Sequence, residues 1–178
     1  ITTSVFVLWQ RLDQIAVSYL AGLESGGYYG LAVRLVGVPI LAASSISFAL
    51  FPDIQRIGRD APEKLQPILG ALLKAIWRYG IFAAALLLAA VALLVAPLAP
   101  KFWPAFKILP CFVPGIWAYW LQSILVNALF GSRKFRPVVR AHLLAFALFV
   151  PVLGAGTWLL GMMGAILAFN VFCVGMAL

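Results

Sequence analysis

The sequence predicts an all-α fold, a polytopic transmembrane helix bundle of about six spans. Hydrophobic residues make up 65% of the 178 residues and charged residues only 10%, whereas a soluble domain usually carries roughly 25% charged residues. A spanning helix needs roughly 20 mostly apolar residues, so a chain of this length can hold about six of them. Lipid offers the backbone no hydrogen-bonding partner, and we therefore expect the repeated apolar runs to be helices and not strands.

The apolar runs divide the chain into six predicted spans, approximately residues 3–21, 28–51, 80–99, 108–130, 138–160 and 162–178. A glycine-rich turn at residues 22–27 ends the first span, and Pro52 ends the second. Pro97 begins a run of prolines that ends the third span, and Pro137 lies between the fourth and the fifth. Only Gly161 separates the fifth span from the sixth. Because the chain starts and stops inside apolar runs, we expect a fragment with a truncated sixth span.

Residues 53–78 form the only long polar stretch of the sequence. Within it, apolar residues recur at the three- and four-residue spacing of an amphipathic helix. They are Leu65, Ile68, Leu69, Leu72 and Leu73. We expect a surface loop with a helix that lies along the headgroups, with Lys64 and Lys74 toward water. The predicted organisation is one six-helix lobe over residues 1–178, with a cytoplasmic amphipathic connector around residues 53–78.

Positive charge is concentrated in two of the predicted loops. Nine Lys and Arg residues lie between spans two and three or between spans four and five: Arg56, Arg59, Lys64, Lys74, Arg78, Arg133, Lys134, Arg136 and Arg140. The alternate loops offer only Lys101 and Lys107. The positive-inside rule therefore predicts that both ends of the chain are cytoplasmic. This bias explains the net charge of +8, and we expect no nucleic-acid partner because no basic patch interleaved with polar and aromatic residues is seen.

Arg11 and Arg34 lie inside predicted spans, where an ionisable side chain is costly and is a functional hypothesis by default. Gln10, Gln14 and Ser18 form a stripe at helical spacing beside Arg11. The short turn after the first span makes the first two spans antiparallel neighbours. We predict that these five residues line a cationic, water-filled cavity that accepts a phosphate or pyrophosphate, because a guanidinium matches phosphate oxygens.

Two other interpretations of the intramembrane charges stay open. Arg11 and Asp13 can neutralise each other or a helix outside this chain, while Arg34 snorkels toward the outer surface. Asp13 is also a candidate for carrying a coupling proton or sodium ion, because apolar surroundings change the proton affinity of a carboxylate.

The remaining polar residues suggest no catalytic or metal site. Gln122, Ser123 and Asn127 in the fourth span are expected to bridge helices by hydrogen bonds rather than to line the cavity. Cys111 and Cys173 are expected to be free thiols in apolar surroundings. The sequence shows no metal-ligand cluster, phosphate-binding glycine loop or serine beside a base. We therefore expect no cofactor, no metal and no enzymatic activity.

The order of several short motifs resembles a known family. The motifs are Arg11-Leu12-Asp13-Gln14-Ile15; Gly27-Tyr28-Tyr29-Gly30-Leu31-Ala32-Val33-Arg34-Leu35; Pro39; Phe51-Pro52; Leu98-Ala99-Pro100; Phe102-Trp103-Pro104-Ala105-Phe106; Asn127-Ala128-Leu129-Phe130-Gly131-Ser132-Arg133; and Gly161-Met162-Met163-Gly164-Ala165-Ile166. This ordered set resembles the polysaccharide-lipid flippases of the multidrug/oligosaccharidyl-lipid/polysaccharide exporter superfamily, over nearly the whole chain. Members commonly show an Asp-containing helix, a Gly-x-Tyr-x-x-Ala entry and a closing Phe-Pro.

The resemblance implies one lobe of a two-lobe transporter of the bacterial cytoplasmic membrane. This chain looks most like the carboxy-terminal six-helix lobe, and its partner would be the missing amino-terminal lobe of the same protein. The implied mechanism is alternating access, in which a lipid-linked oligosaccharide crosses the membrane with its sugar-phosphate head shielded. Arg11 and Arg34 would attract the phosphates, and the lipid tail would stay in the surrounding membrane lipid. A departure from the family is that no companion cationic helix is present.

Three alternatives are weighed against this interpretation. A multidrug and toxin extrusion antiporter or a lipid II flippase shares the two-lobe architecture, but an exporter of cations should favour acidic cavity residues. A structural or assembly subunit of a membrane complex would use its buried charges only to pair helices. A membrane-embedded glycosyltransferase would need a catalytic base and usually a large outer loop, and the sequence shows neither.

Overall fold

The structure, a computed structural model, describes the backbone of residues 2–131 and 135–177. Side chains are described for residues 11–58, 60–61, 63–130 and 136–177. Three of the predicted loop cations, Arg59, Arg133 and Lys134, have side chains outside the described residues, as does Gln10 of the predicted polar stripe.

All regular structure in the described part of the chain is helical, which confirms the predicted all-α class. The helices are α1 (Thr2–Leu20), α2 (Leu23–Asp60), α3 (Pro62–Val95), α4 (Trp103–Ile108), α5 (Val113–Gly131), α6 (Phe135–Leu160) and α7 (Met162–Ala177). Short 3₁₀ turns at Ala96–Leu98, Pro100–Phe102 and Leu109–Phe112 join α3, α4 and α5. The helices pack as a bundle in which α7 contacts α5, α6 and α1.

Four segments in the described part of the chain are long and apolar enough to cross a membrane. They are Leu23–Gly58, Glu63–Leu98, Pro100–Phe130 and Arg136–Leu160, and Met162–Ala177 is a shorter apolar helix. Their length and composition make this a multi-pass membrane protein. The larger number of six spans stays a prediction, because α1 and α7 are not among the four.

The predicted helix ends near glycine and proline are partly wrong. The turn between α1 and α2 consists of Ala21 and Gly22 alone, and Gly22 takes a φ of 93°, a left-handed backbone that suits glycine. Pro52 lies inside α2 and does not end it. A helix can continue past a proline when packing holds both sides, and here Ser47 before it and Ile54 after it are both buried.

The polar connector is also different from the prediction. Residues 53–78 form the end of α2, a turn at Ala61 and the start of α3, not a surface loop with a separate helix. The leucine spacing at residues 65–73 therefore belongs to α3 itself, which continues directly into the apolar run. At 34 residues, α3 is about 51 Å long, well beyond the roughly 30 Å of a hydrocarbon core. The position of this connector at the membrane surface stays a prediction.

Aromatic rings fill the centre of the bundle. Tyr29 and Phe112 are fully buried, with ring centroids 6.1 Å apart. Phe112 packs edge to face on Phe169 of α7 at 5.2 Å, and Phe149 of α6 packs on Phe172 of α7 at 5.5 Å. Such ring pairs contribute about 0.5–1.5 kcal/mol each beyond their burial. They connect the α1–α2 hairpin to α7 through the turn before α5.

The backbones of α6 and α7 are in close contact at Gly156 and Gly164. Gly161 makes the sharp turn between them with a φ of 60°. A Cβ atom added to Gly164 would overlap the backbone of Gly156 and Thr157. Close backbone contact at small residues is a common way for membrane helices to associate, because lipid supplies no hydrophobic driving force between helices.

We therefore expect Gly164→Ala to destabilise the protein by about 1–3 kcal/mol, because the new methyl group forces the two backbones apart. Thermal unfolding in detergent measures this effect. The matched control is Gly154→Ala, since a Cβ there meets no atom within 4 Å. Equal melting temperatures for the two variants would contradict the close packing.

Candidate functional site

The first two helices form an antiparallel hairpin whose register is set by two glycines of α2. A Cβ on Gly26 would overlap the Ser18 hydroxyl, and one on Gly30 would lie 2.6 Å from Gln14 Nε2. Each four-residue step back along α1 is thus matched by four residues forward along α2. A larger residue at Gly26 would also meet the Cβ and Cα atoms of Ser18 and so separate the helices, whereas at Gly30 it would displace the flexible end of the Gln14 side chain. The sequence here brings Gln14 and Ser18 against the α2 backbone.

This register brings the two predicted arginines to the same depth. Arg11 lies three residues before Gln14, level with residue 33 of α2 and therefore within one residue of the depth of Arg34. Arg34 follows Leu23 by eleven residues, close to three full helical turns, so both lie on one face of α2. Leu23 lines a groove that also contains Arg11. Arg34 lies on the same flank of the hairpin but is not part of the groove lining.

The groove runs along this flank and has a volume of about 560 Å³. Its lining residues are Arg11, Gln14, Ile15, Ser18, Tyr19 and Leu23. Tyr19 is 88% exposed, so the groove is open on its outer side. The Ser18 hydroxyl donates to the Gln14 carbonyl at 2.8 Å. Three of the predicted cavity residues, Arg11, Gln14 and Ser18, therefore line one open groove. Tyr19, one helical turn after Ile15, adds an aromatic ring to it.

Arg11 is exposed and makes no hydrogen bond or ion pair with a described residue. The same holds for Arg34 among the described residues. Arg11 and Asp13 form no ion pair with each other, so the structure gives no support to the alternative in which they neutralise each other. Two residues of separation place the side chains about 200° apart around α1, so Asp13 lies on the opposite flank.

Asp13 is buried between the hairpin helices and is held by two hydrogen bonds. It is 1% exposed, and its Oδ2 accepts a hydrogen bond from the hydroxyl of the fully buried Tyr29 at 2.8 Å. Its Oδ1 accepts from the backbone N–H of Gln14 at 2.6 Å. The coupling role of Asp13 stays a prediction. Sequence reasoning missed Tyr29 as its partner, because the two residues lie 16 positions apart on different helices.

The polar residues of α5 pair with α2, away from the groove. The hydroxyls of Ser47 and Ser123 lie 2.8 Å apart, and Asn127 Nδ2 donates to the Ser47 carbonyl at 3.0 Å. These bonds confirm the predicted bridging role of Ser123 and Asn127. Gln122 is 6% exposed, and its Oε1 has no partner among the described residues. It lines a separate cavity of about 190 Å³ between α2 and α5, with Ser44.

Removing the Tyr29 hydroxyl tests the buried pair. We expect Tyr29→Phe to destabilise the protein by about 1–3 kcal/mol, because the buried Asp13 loses one of its two hydrogen-bond donors. Unfolding in detergent measures the loss. The matched control is Tyr28→Phe, which removes an exposed hydroxyl that donates to Glu24 at 2.6 Å and should change stability by less than about 0.5 kcal/mol. The same small effect from both variants would show that the Asp13–Tyr29 bond contributes little.

Comparison with known proteins leaves the site to be interpreted from its geometry. No family model, curated protein or solved structure matches this chain. The motifs described in the sequence and the groove beside the α1–α2 hairpin are therefore the observations on which a function can be proposed.

Proposed function

We propose that this protein is a lipid-linked oligosaccharide flippase that moves polyprenyl-pyrophosphate sugars across a bacterial cytoplasmic membrane by alternating access. In this proposal the chain is the carboxy-terminal six-helix lobe, with both ends in the cytoplasm. The missing amino-terminal lobe covers the groove beside α1 and α2, and the two lobes enclose a central cavity. The sugar-phosphate head crosses inside that cavity while the lipid tail remains in the membrane.

The observation that carries the proposal is an arginine in an open groove of an apolar bundle, with no partner among the described side chains. Leaving an arginine in hydrocarbon costs at least about 2.5–3.5 kcal/mol, and Arg11 has no counter-ion among the described residues. An anionic headgroup removes this cost, and the planar guanidinium binds phosphate oxygens through two parallel hydrogen bonds. Gln14 and Ser18, which are neutral hydrogen-bonding groups in the same groove, suit sugar hydroxyls.

The depth of Arg34 supports a substrate with more than one anionic group. A pyrophosphate carries two phosphates, and the hairpin register sets two arginines at one level on one flank. Arg11 would contact the substrate from the groove, and Arg34 would add positive potential from the neighbouring helix. Two arginines within this one lobe therefore suit a substrate that carries two phosphates.

An exporter of cationic drugs has less support. The acid nearest to Arg11 in the sequence is Asp13, which is buried on the opposite flank and bonded to Tyr29. Glu24, next to Leu23 at the end of the groove, accepts a hydrogen bond from Tyr28. Neither carboxylate lines the groove. A purely structural subunit would be expected to pair its intramembrane charges, and Arg11 and Arg34 have no such partner among the described residues.

Arg11→Ala in the intact protein should abolish export of surface polysaccharide while membrane insertion stays normal, because the phosphate loses its principal contact. Immunoblotting of surface polysaccharide in cells that lack the wild-type copy measures the effect. Arg56→Ala is the matched control, since Arg56 is exposed and pairs with Asp53 at 3.4 Å on a distant part of α2. Arg11→Lys should impair export only partly if a point charge suffices. Undiminished polysaccharide with Arg11→Ala would remove this residue from the site.

Asp13→Asn provides a separate test of ion coupling. Asparagine keeps an oxygen that can accept the hydrogen bond from the Tyr29 hydroxyl. Its amide group, however, can neither bind a coupling proton nor carry a negative charge. If Asp13 carries the coupling ion, the variant should be folded and inactive at every pH, as measured by transport in reconstituted vesicles. Transport that equals the wild type at all pH values would dismiss the coupling role and leave Asp13 as a stabilising residue of the hairpin.

A further inference from the structure

A second cleft lies on another side of the bundle, between α3, α5 and the end of α7. Its volume is about 560 Å³, and its lining residues are Leu73, Lys74, Trp77, Arg78, Leu121, Leu125 and Ala177. Two cations and an indole thus share a cleft whose other walls are apolar. The groove beside the α1–α2 hairpin has no residue in common with it.

The length of the apolar run on α3 places the cations of this cleft at the edge of the membrane. Residues 79–98 contain no charged side chain. The 17 of them that belong to α3 rise about 26 Å, and the 3₁₀ turn Ala96–Leu98 adds about 6 Å. The total matches the roughly 30 Å hydrocarbon thickness of a bilayer. If this run fills the hydrocarbon, Arg78 lies at its boundary and Lys74 one turn farther out, at the level of the lipid phosphates. Tyr79 begins the apolar run, as expected of an interfacial aromatic residue.

The two cations are available to an anion. Lys74 and Arg78 are four residues apart, so their side chains lie on one face of α3. Both are exposed, and neither forms an ion pair with a described residue. The guanidinium of Arg78 lies 5.8 Å from the centre of the Tyr79 ring. This cation–π contact involves no hydrogen bond, so the N–H donors of Arg78 remain available to phosphate oxygens.

The rim of the cleft is held in place by two tryptophans. The rings of Trp77 and Trp117 lie 4.7 Å apart, and Trp117 Nε1 donates to the Ile76 carbonyl at 3.1 Å. A Cβ on Gly80 would lie 2.9 Å from the Trp117 ring, so the absence of a side chain there makes room for the indole. The result is a preformed wall beside Lys74 and Arg78.

We propose that this cleft binds one anionic phospholipid. The phosphate lies against Lys74 and Arg78, the headgroup contacts the exposed edge of Trp77, and an acyl chain packs along Leu73, Leu121 and Leu125. Basic pockets between membrane helices recognise anionic headgroups in this way. A free phosphate would leave the leucine wall uncovered, and an uncharged lipid would leave the two cations without a partner. The inference does not depend on the proposed transport function.

Native mass spectrometry of the intact protein in nanodiscs tests this site. With phosphatidylglycerol present, the wild type should retain one such lipid, and phosphatidylcholine should be retained more weakly. The double variant Lys74→Gln/Arg78→Gln should lower the apparent affinity for phosphatidylglycerol about tenfold or more, because two charges at the phosphate level are removed. The melting temperature of each variant without added lipid verifies that it is folded.

The matched control is Arg136→Gln/Arg140→Gln, which removes two exposed cations at the same four-residue spacing on α6. This variant should retain phosphatidylglycerol as the wild type does. The same loss in both double variants would overturn the proposal, because attraction would then come from overall charge. Equal retention of phosphatidylglycerol and phosphatidylcholine by the wild type, or displacement of the lipid by inorganic phosphate at matched concentration, would overturn it as well.

Discussion

The solvent of this protein is hydrocarbon, and that constraint accounts for most of its architecture. Backbone N–H and C=O groups have no water to bind at this depth, so each span must be a helix. The same solvent removes the hydrophobic attraction between helices, and close backbone approach has to replace it. This is why glycines mark close approaches, Gly164 against the α6 backbone and Gly26 against Ser18 of α1. Ionisable groups are then expected at the helix ends, beside a groove or, like Asp13, hydrogen-bonded inside the bundle.

The candidate site and the core are built on the same hairpin. Asp13 and Tyr29 join α1 to α2 on the buried flank, and Tyr29 continues the contact into the rings around Phe112. On the opposite flank the same register sets Arg11 and Arg34 at one level. A change that loosens the buried flank would therefore also change the distance between the two arginines. Stability and the geometry of the groove are in this sense properties of one helix pair.

Sequence reasoning predicted the helical class and the separation of α6 and α7 at Gly161. It also singled out Arg11, Gln14 and Ser18, which line one groove, while the cavity they were expected to form stays a prediction. These features depend on periodicity and apolar length, which a sequence displays directly. It misplaced the ends near Gly22 and Pro52, because glycine and proline are compatible with the interior of a packed membrane helix. The partner of Asp13 depends on how two helices are rotated against each other. No local pattern contains that information, so Tyr29 was missed. The same rotation decides which side chains face the groove, and Arg34 is not among its lining residues.

The length of α3 has a mechanical consequence. If residues 79–98 fill the hydrocarbon, the 17 residues from Pro62 to Arg78 project as a stiff rod of about 25 Å. Helix α2 ends just before this rod, at the turn at Ala61, and packs against α3. A tilt of the bundle by about ten degrees would swing that turn by about 4 Å, given a rod of this length. Any rocking within the bilayer is thereby amplified outside it, at a point where a spectroscopic label or a soluble protein can sense it.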